Sequence, residues 1–192
     1  MSTALVALVA AAIGAGVTGL LQLRRDRVET LRQRQLDAAD VFAASTARAL
    51  LSVKLVIDTQ PRNRSDQALR QWREAGVALR ESLWEDVREV AGHGPRVELL
   101  FGVKAPTSVA AMQTVYDLTL VATHLQPPLN EEAFVWAYKL ALEAAMRFHD
   151  EAHVVVASSW WSRRRHRSIP DQAYNEMMKN FEAKYGLTNS TY

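Results

Sequence analysis

The chain contains no cysteine. This excludes disulfide staples, thiolate metal centres and thiol nucleophiles, and it suits a reducing compartment. Glycine and proline are scarce as well, 8 and 6 in 192 residues, and residues 20–60 contain neither. A stretch of that length without a breaker, with apolar residues recurring every three and four positions, predicts one long helix. Strand signals are nearly absent. The single doubtful run, "RVELLFG" at residues 96–102, would be a strand without a partner, so it is read as a short helical connection. Charge is missing from residues 3–23, where only Thr3, Thr18 and Gln22 carry polar side chains.

That charge-free run is close to the roughly 20 residues needed to cross a hydrocarbon core, and it predicts a transmembrane helix. It also holds Gly14, Gly16 and Gly19 at the G-x-G-x-x-G spacing of a dinucleotide-binding loop. Such a loop needs a strand before the glycines and a second strand after the helix that follows. Neither is present, and helix periodicity explains the small residues instead. Ala7, Ala11, Ala15 and Gly19 lie four apart, a stripe that lets two spans pair closely and makes a homodimer through the span a candidate assembly. Orientation follows from the flanks: Arg24, Arg25, Arg27, Arg32 and Arg34 come after the run, and no basic side chain precedes it. By the positive-inside rule the expected placement is single-pass in the inner (cytoplasmic) membrane, with the N-terminus outside and the body in the cytoplasm. A cleaved signal peptide would carry its basic residues on the other side.

Residues 24–168 then form one helical domain and residues 169–192 a C-terminal amphipathic helix and tail. Breakers cluster at "QPRNRSD", "AGHGP", "GVKAPTS", "QPPLN" and "SIP", and every segment between them has helical period. Leu69, Trp72, Gly76, Leu79 and Leu83 mark a second helix; Val109, Met112, Val115 and Tyr116 mark a third. Phe134, Ala137, Ala141, Ala144 and Phe148 mark a fourth over residues 131–166, with Asn130 as its N-cap. Tyr174, Met177 and Phe181 mark the last, opened by Pro170 and stopped by Gly186. The expected fold is all-α, with the transmembrane helix continuing into a long helix of an antiparallel four-helix bundle.

With its N-terminal span, Arg-rich following helix, bundle, and "RVELLFGVKAP" before the third helix, the chain resembles a class of uncharacterised bacterial single-pass membrane proteins with a cytoplasmic helical bundle. The resemblance implies an architecture. It implies no activity, cofactor or catalytic residue.

Two clusters remain. The run "SSWWSRRRHRS" holds Trp160, Trp161, Arg163, Arg164, Arg165 and Arg167. Helices of equal count over residues 24–59 and 131–166 would return this patch to the level of Arg24, Arg25 and Arg27, at the bilayer surface. The net charge is only +2 because the rest of the chain is acidic, so two basic patches at one level call for an anionic neighbour. Lipid headgroups meet both the indoles and the arginines. A solvated helix end is the alternative, and nucleic acid is the least favoured partner. In "FHDEAHVV", His149 and His153 stand four apart on one helical face, which is metal-ligand spacing, with Glu143 and His124 as distant candidates for a third ligand. The pattern matches neither the zinc-protease nor the di-iron motif. No nucleophile motif or phosphate loop occurs. The sequence therefore favours a membrane-anchored interaction or scaffold module, needing no cofactor and binding a protein partner it does not identify. A metal-binding or enzymatic bundle is the runner-up, and a membrane-tethered nucleic-acid binder comes third.

Overall fold

The structure is a computed structural model. It describes residues 2–61, 65–125, 130–157 and 172–185, with residues 2–15 and 17 described by their backbone only. Among the described residues there are six helices and no strand: α1 (Ser2–Asp58), α2 (Asp66–Ala75), α3 (Val77–Phe101), α4 (Pro106–His124), α5 (Glu131–Ala157) and α6 (Gln172–Tyr185). The all-α expectation holds. Among the described residues no helix is long and apolar enough to cross a membrane. The expected span at residues 3–23 lies largely outside the residues with described side chains.

α1 is a single element of 57 residues, about 86 Å long at 1.5 Å per residue. Only its second half has neighbours. Buried residues begin at Gln35 and continue through Ala38, Phe42, Ala49, Val53 and Val56, at spacings of three, four and seven that put them on one face. α3 runs antiparallel to it. Gln35 Nε2 donates to the Leu100 carbonyl at 2.8 Å, and Arg48 pairs with Glu89 at 2.6 Å, so α1 positions rise as α3 positions fall. α4 packs against α3 and α5, and α5 closes the bundle against α1. There Phe42 and Phe148 meet with ring centroids 4.5 Å apart. The core between α4 and α5 is built largely from alanines (Ala110, Ala111, Ala122, Ala137, Ala141 and Ala144), all at most 2% exposed. Small side chains there let the two backbones approach closely.

Two boundaries differ from the sequence reading. The second helix is two: α2 ends at Gly76, where an added Cβ would come within 2.8 Å of the Trp72 carbonyl oxygen, and α3 starts afresh. "AGHGP", expected as a break, lies inside α3, and residues 96–102 complete that helix instead of connecting two others. The reason is where the breaker points. Pro95 and the Ala91 carbonyl it leaves unbonded sit on an exposed face reached by water, while Val90 and Val97 on either side are fully buried. Core packing on both sides carries the helix through. It stops at Gly102, whose φ of 88° lies in the positive region that favours glycine and whose amide donates to the Glu98 carbonyl. The expected Asn130 N-cap is present, accepting from the Ala133 amide at 3.2 Å.

Gly92 and Gly94 meet nothing within 4 Å where a Cβ would be added. At Gly92 nothing requires glycine, which costs up to about 1 kcal/mol against alanine in a helix interior, whereas Gly94 precedes Pro95, whose ring crowds a Cβ on the residue before it in helical backbone. Gly92→Ala should raise the urea midpoint, adding up to about 1 kcal/mol with an unchanged m-value. A lower midpoint would mean that α3 needs its flexibility.

Candidate functional site

The basic stretch of α1 lies on the unpacked half of that helix. Arg24, Arg25 and Arg27 are all exposed, and so is every described side chain from Thr18 to Leu31. Leu20, Leu21 and Leu23 are 69%, 61% and 58% exposed. Gly19 is open, while Ala7, Ala11 and Ala15 are described only by backbone, so the pairing stripe is left to sequence argument. Trp160, Trp161, Arg163, Arg164, Arg165 and Arg167 lie outside the described residues.

His149 and His153 do share one face of α5, as their spacing requires, with ring centroids 4.4 Å apart. Both are exposed. His149 Nδ1 lies 3.4 Å from Asp150 Oδ1. No third ligand joins them, and among the described residues no group of three His, Cys, Asp or Glu side chains could hold a metal ion. His124 belongs to a different cluster. Its Nδ1–H donates to the Leu120 carbonyl at 2.8 Å, and its ring packs 5.9 Å from Phe181 and 6.3 Å from Tyr185. Glu143 instead borders a cleft with Arg147, Glu151 and Tyr174.

The structure assembles a polar site that the sequence reading passed over. Asp117 is fully buried on α4. Tyr174 of α6 donates its hydroxyl to Asp117 Oδ2 at 2.7 Å, and Gln113, one turn back on α4, donates to Oδ1 at 3.2 Å. Arg147 of α5 stands over the Tyr174 ring at 5.7 Å, and its Nε donates to Glu151 at 3.0 Å. Beside this network opens a cleft of about 320 Å³ lined by Lys104, Gln113, Ala144, Arg147, Tyr174 and Asn175. Burial pushes the Asp117 carboxyl up to about 7 against the pull of its two hydrogen-bond donors. Burial and the neighbouring Asp117 charge push the Tyr174 phenol up in turn.

Such a group binds a proton near neutrality, and its hydrogen bonds run to Gln113 on its own helix and to Tyr174 on α6. Its chemistry is that of a latch between α4 and α6. A signal for it was present in the sequence. Asp117 is the only acid between Glu98 and Glu131, and it shares the three-and-four phase of Ala110, Thr114 and Val121, all core residues. An acid in register with a core face is a buried acid.

No family model, curated protein or solved structure matches the chain.

The raised Asp117 value fixes a pH dependence. Folding favours the protonated form, so the stability it contributes is complete below the unfolded value of 3.8 and is lost as pH rises through about 7. The loss amounts to about 4 kcal/mol across that window. Urea midpoints of the full chain should therefore fall from pH 5 to pH 8. In Asp117→Asn, which keeps the shape without the charge, the slope should flatten. A steeper fall in the variant would place the titrating group elsewhere.

Proposed function

We propose that the protein is a membrane-anchored helical interaction module, in which α1 joins an apolar anchor to a bundle that binds a protein partner on the cytoplasmic side. The observation that carries this reading is the stem. Leu20, Leu21 and Leu23 are each more than half exposed on a helix that touches nothing there, and Arg24, Arg25 and Arg27 follow at once. Three leucines held in water gain nothing from folding, whereas an apolar phase ending at a basic collar accounts for both groups. The uncharged residues 3–23 extend the same apolar run toward the N-terminus.

The antiparallel register supports a second contact with lipid. With Phe42 opposite Phe148, Ala157 falls at about the level of Gln33 at equal rise per residue. The chain leaving α5 therefore starts one or two turns from the basic collar. Trp160, Trp161 and Arg163, Arg164, Arg165 and Arg167 follow within ten residues. In this reading they meet anionic headgroups, each arginine contributing about 1 kcal/mol at low salt.

Two experiments test the reading. The full-length chain should sediment with membranes, stay there through carbonate and high salt, and report cytoplasm from a reporter fused to Tyr192. Recovery in the soluble fraction would overturn the anchor. The chain without residues 1–23 keeps every residue of the described core, which begins at Gln35, and it should bind anionic vesicles at low salt and release as salt rises. Replacing the four arginines by Gln should weaken that binding at least tenfold. Preference for an oligonucleotide over the vesicles would replace the lipid contact with nucleic-acid binding.

A further inference from the structure

The C-terminal helix is amphipathic, and its apolar side faces the bundle. Tyr174 and Phe181 are buried, and Met177, Met178 and Tyr185 pack partly buried against the core. α6 lies on α5 and reaches α4 through Tyr174, whose hydroxyl is bonded to Asp117 at 2.7 Å. At its far end Phe181 and Tyr185 pack on His124, and Lys184 pairs with Glu132 on the surface.

We propose that α6 is a detachable helix bound in cis to the groove between α4 and α5, latched by the Asp117–Tyr174 hydrogen bond and loosened when Asp117 ionises. The groups around Asp117 decide the direction. On its own helix it has only Gln113; from α6 come Tyr174 and the acidic Glu182; α1 and α3 supply no charge that acts on it. Lys104 and Arg147 line the cleft beside it, but neither bonds Asp117, and Arg147 of α5 stands over the Tyr174 ring and is paired with Glu151. A carboxylate formed there is buried with no counter-ion bonded to it among the described residues, and it faces a second acid. Lifting α6 admits water to it, so ionisation favours the lifted state. Lifting also uncovers the apolar faces of both α6 and the groove, the geometry in which one amphipathic helix can replace another. The inference rests on the Asp117 site and is independent of the membrane reading.

Hydrogen exchange on the full-length chain tests it. After correction for intrinsic rates, the opening equilibrium of residues 172–185 should rise about tenfold from pH 6 to pH 8, as a carboxyl titrating near 7 when closed and near 3.8 when open requires. Amides of α3 should hold their protection. His124 also packs against this face, and Asp117→Asn separates the two: the variant should show the same α6 protection at both pH values. Tyr174→Phe, which leaves the core ring in place, should raise α6 opening already at pH 6. Equal protection of the wild type at pH 6 and pH 8 would overturn the latch. So would an unchanged pH response in Asp117→Asn or unchanged protection in Tyr174→Phe.

Discussion

A helix of 57 residues packed against partners of 25, 19 and 27 residues has to leave much of its length without a neighbour. Where the packing falls is set by the apolar face that starts at Ala38, and the Gln35 bond to the α3 C-terminus fixes the register there. Everything N-terminal to that bond is stem. An isolated helix of alternating arginine and acid could survive in water through i,i+4 pairs, but the leucines that precede the arginines cannot be accounted for in that way. The length mismatch between α1 and the bundle is therefore what raises the question of a second, apolar environment.

Inside the bundle the same economy of apolar surface appears. Alanine supplies much of the α4–α5 contact, so close approach replaces bulk, and the large buried side chains Phe42, Phe134, Phe148 and Phe181 fill the gaps between layers. A core of this kind is complete without polar groups. Three of the hydroxyls it does bury bond back to their own helix or its entry, Ser45 to the Phe42 carbonyl at 3.0 Å and Thr114 and Ser108 to the Ala110 and Gly102 carbonyls at 2.8 Å. Asp117 is different because its partner Tyr174 lies 57 positions away, on a helix that also buries Phe181 against the core. That bond between α4 and α6 is what the proposed control of α6 rests on.

Much of the helical outline was legible in the sequence because periodicity and breakers agree along most of the chain. Asn130 and Gly102 act where their chemistry says they should. The reading failed at Gly92, Gly94 and Pro95, where composition argues for a break and tertiary packing of Val90 and Val97 prevails. It failed again at Gly76, where a glycine in phase with core residues is a hinge because Trp72 leaves no room for a side chain. His149 and His153 were correctly placed on one face, yet spacing along one helix says nothing of a third ligand from another. Asp117 was missed for the opposite reason: a single acid forms no motif, and only the joint phase with Ala110 and Val121 marks it as buried.

The two features that set this chain apart from a plain bundle meet in one covalent segment. Residues 158–171 join α5 to α6 and contain the Trp160 to Arg167 patch, and Tyr174 follows that patch by only seven residues. Whatever binds the patch fixes the point from which α6 must reach its groove. Binding there changes the effective concentration of α6 at the groove, and by linkage the state of the latch changes the affinity of the patch by the same factor. If the patch and the latch act as proposed, a shared tether of this length would couple an event at the surface to a proton on Asp117 without any movement of the four long helices. The bundle then serves as the rigid frame against which a short helix is held or released.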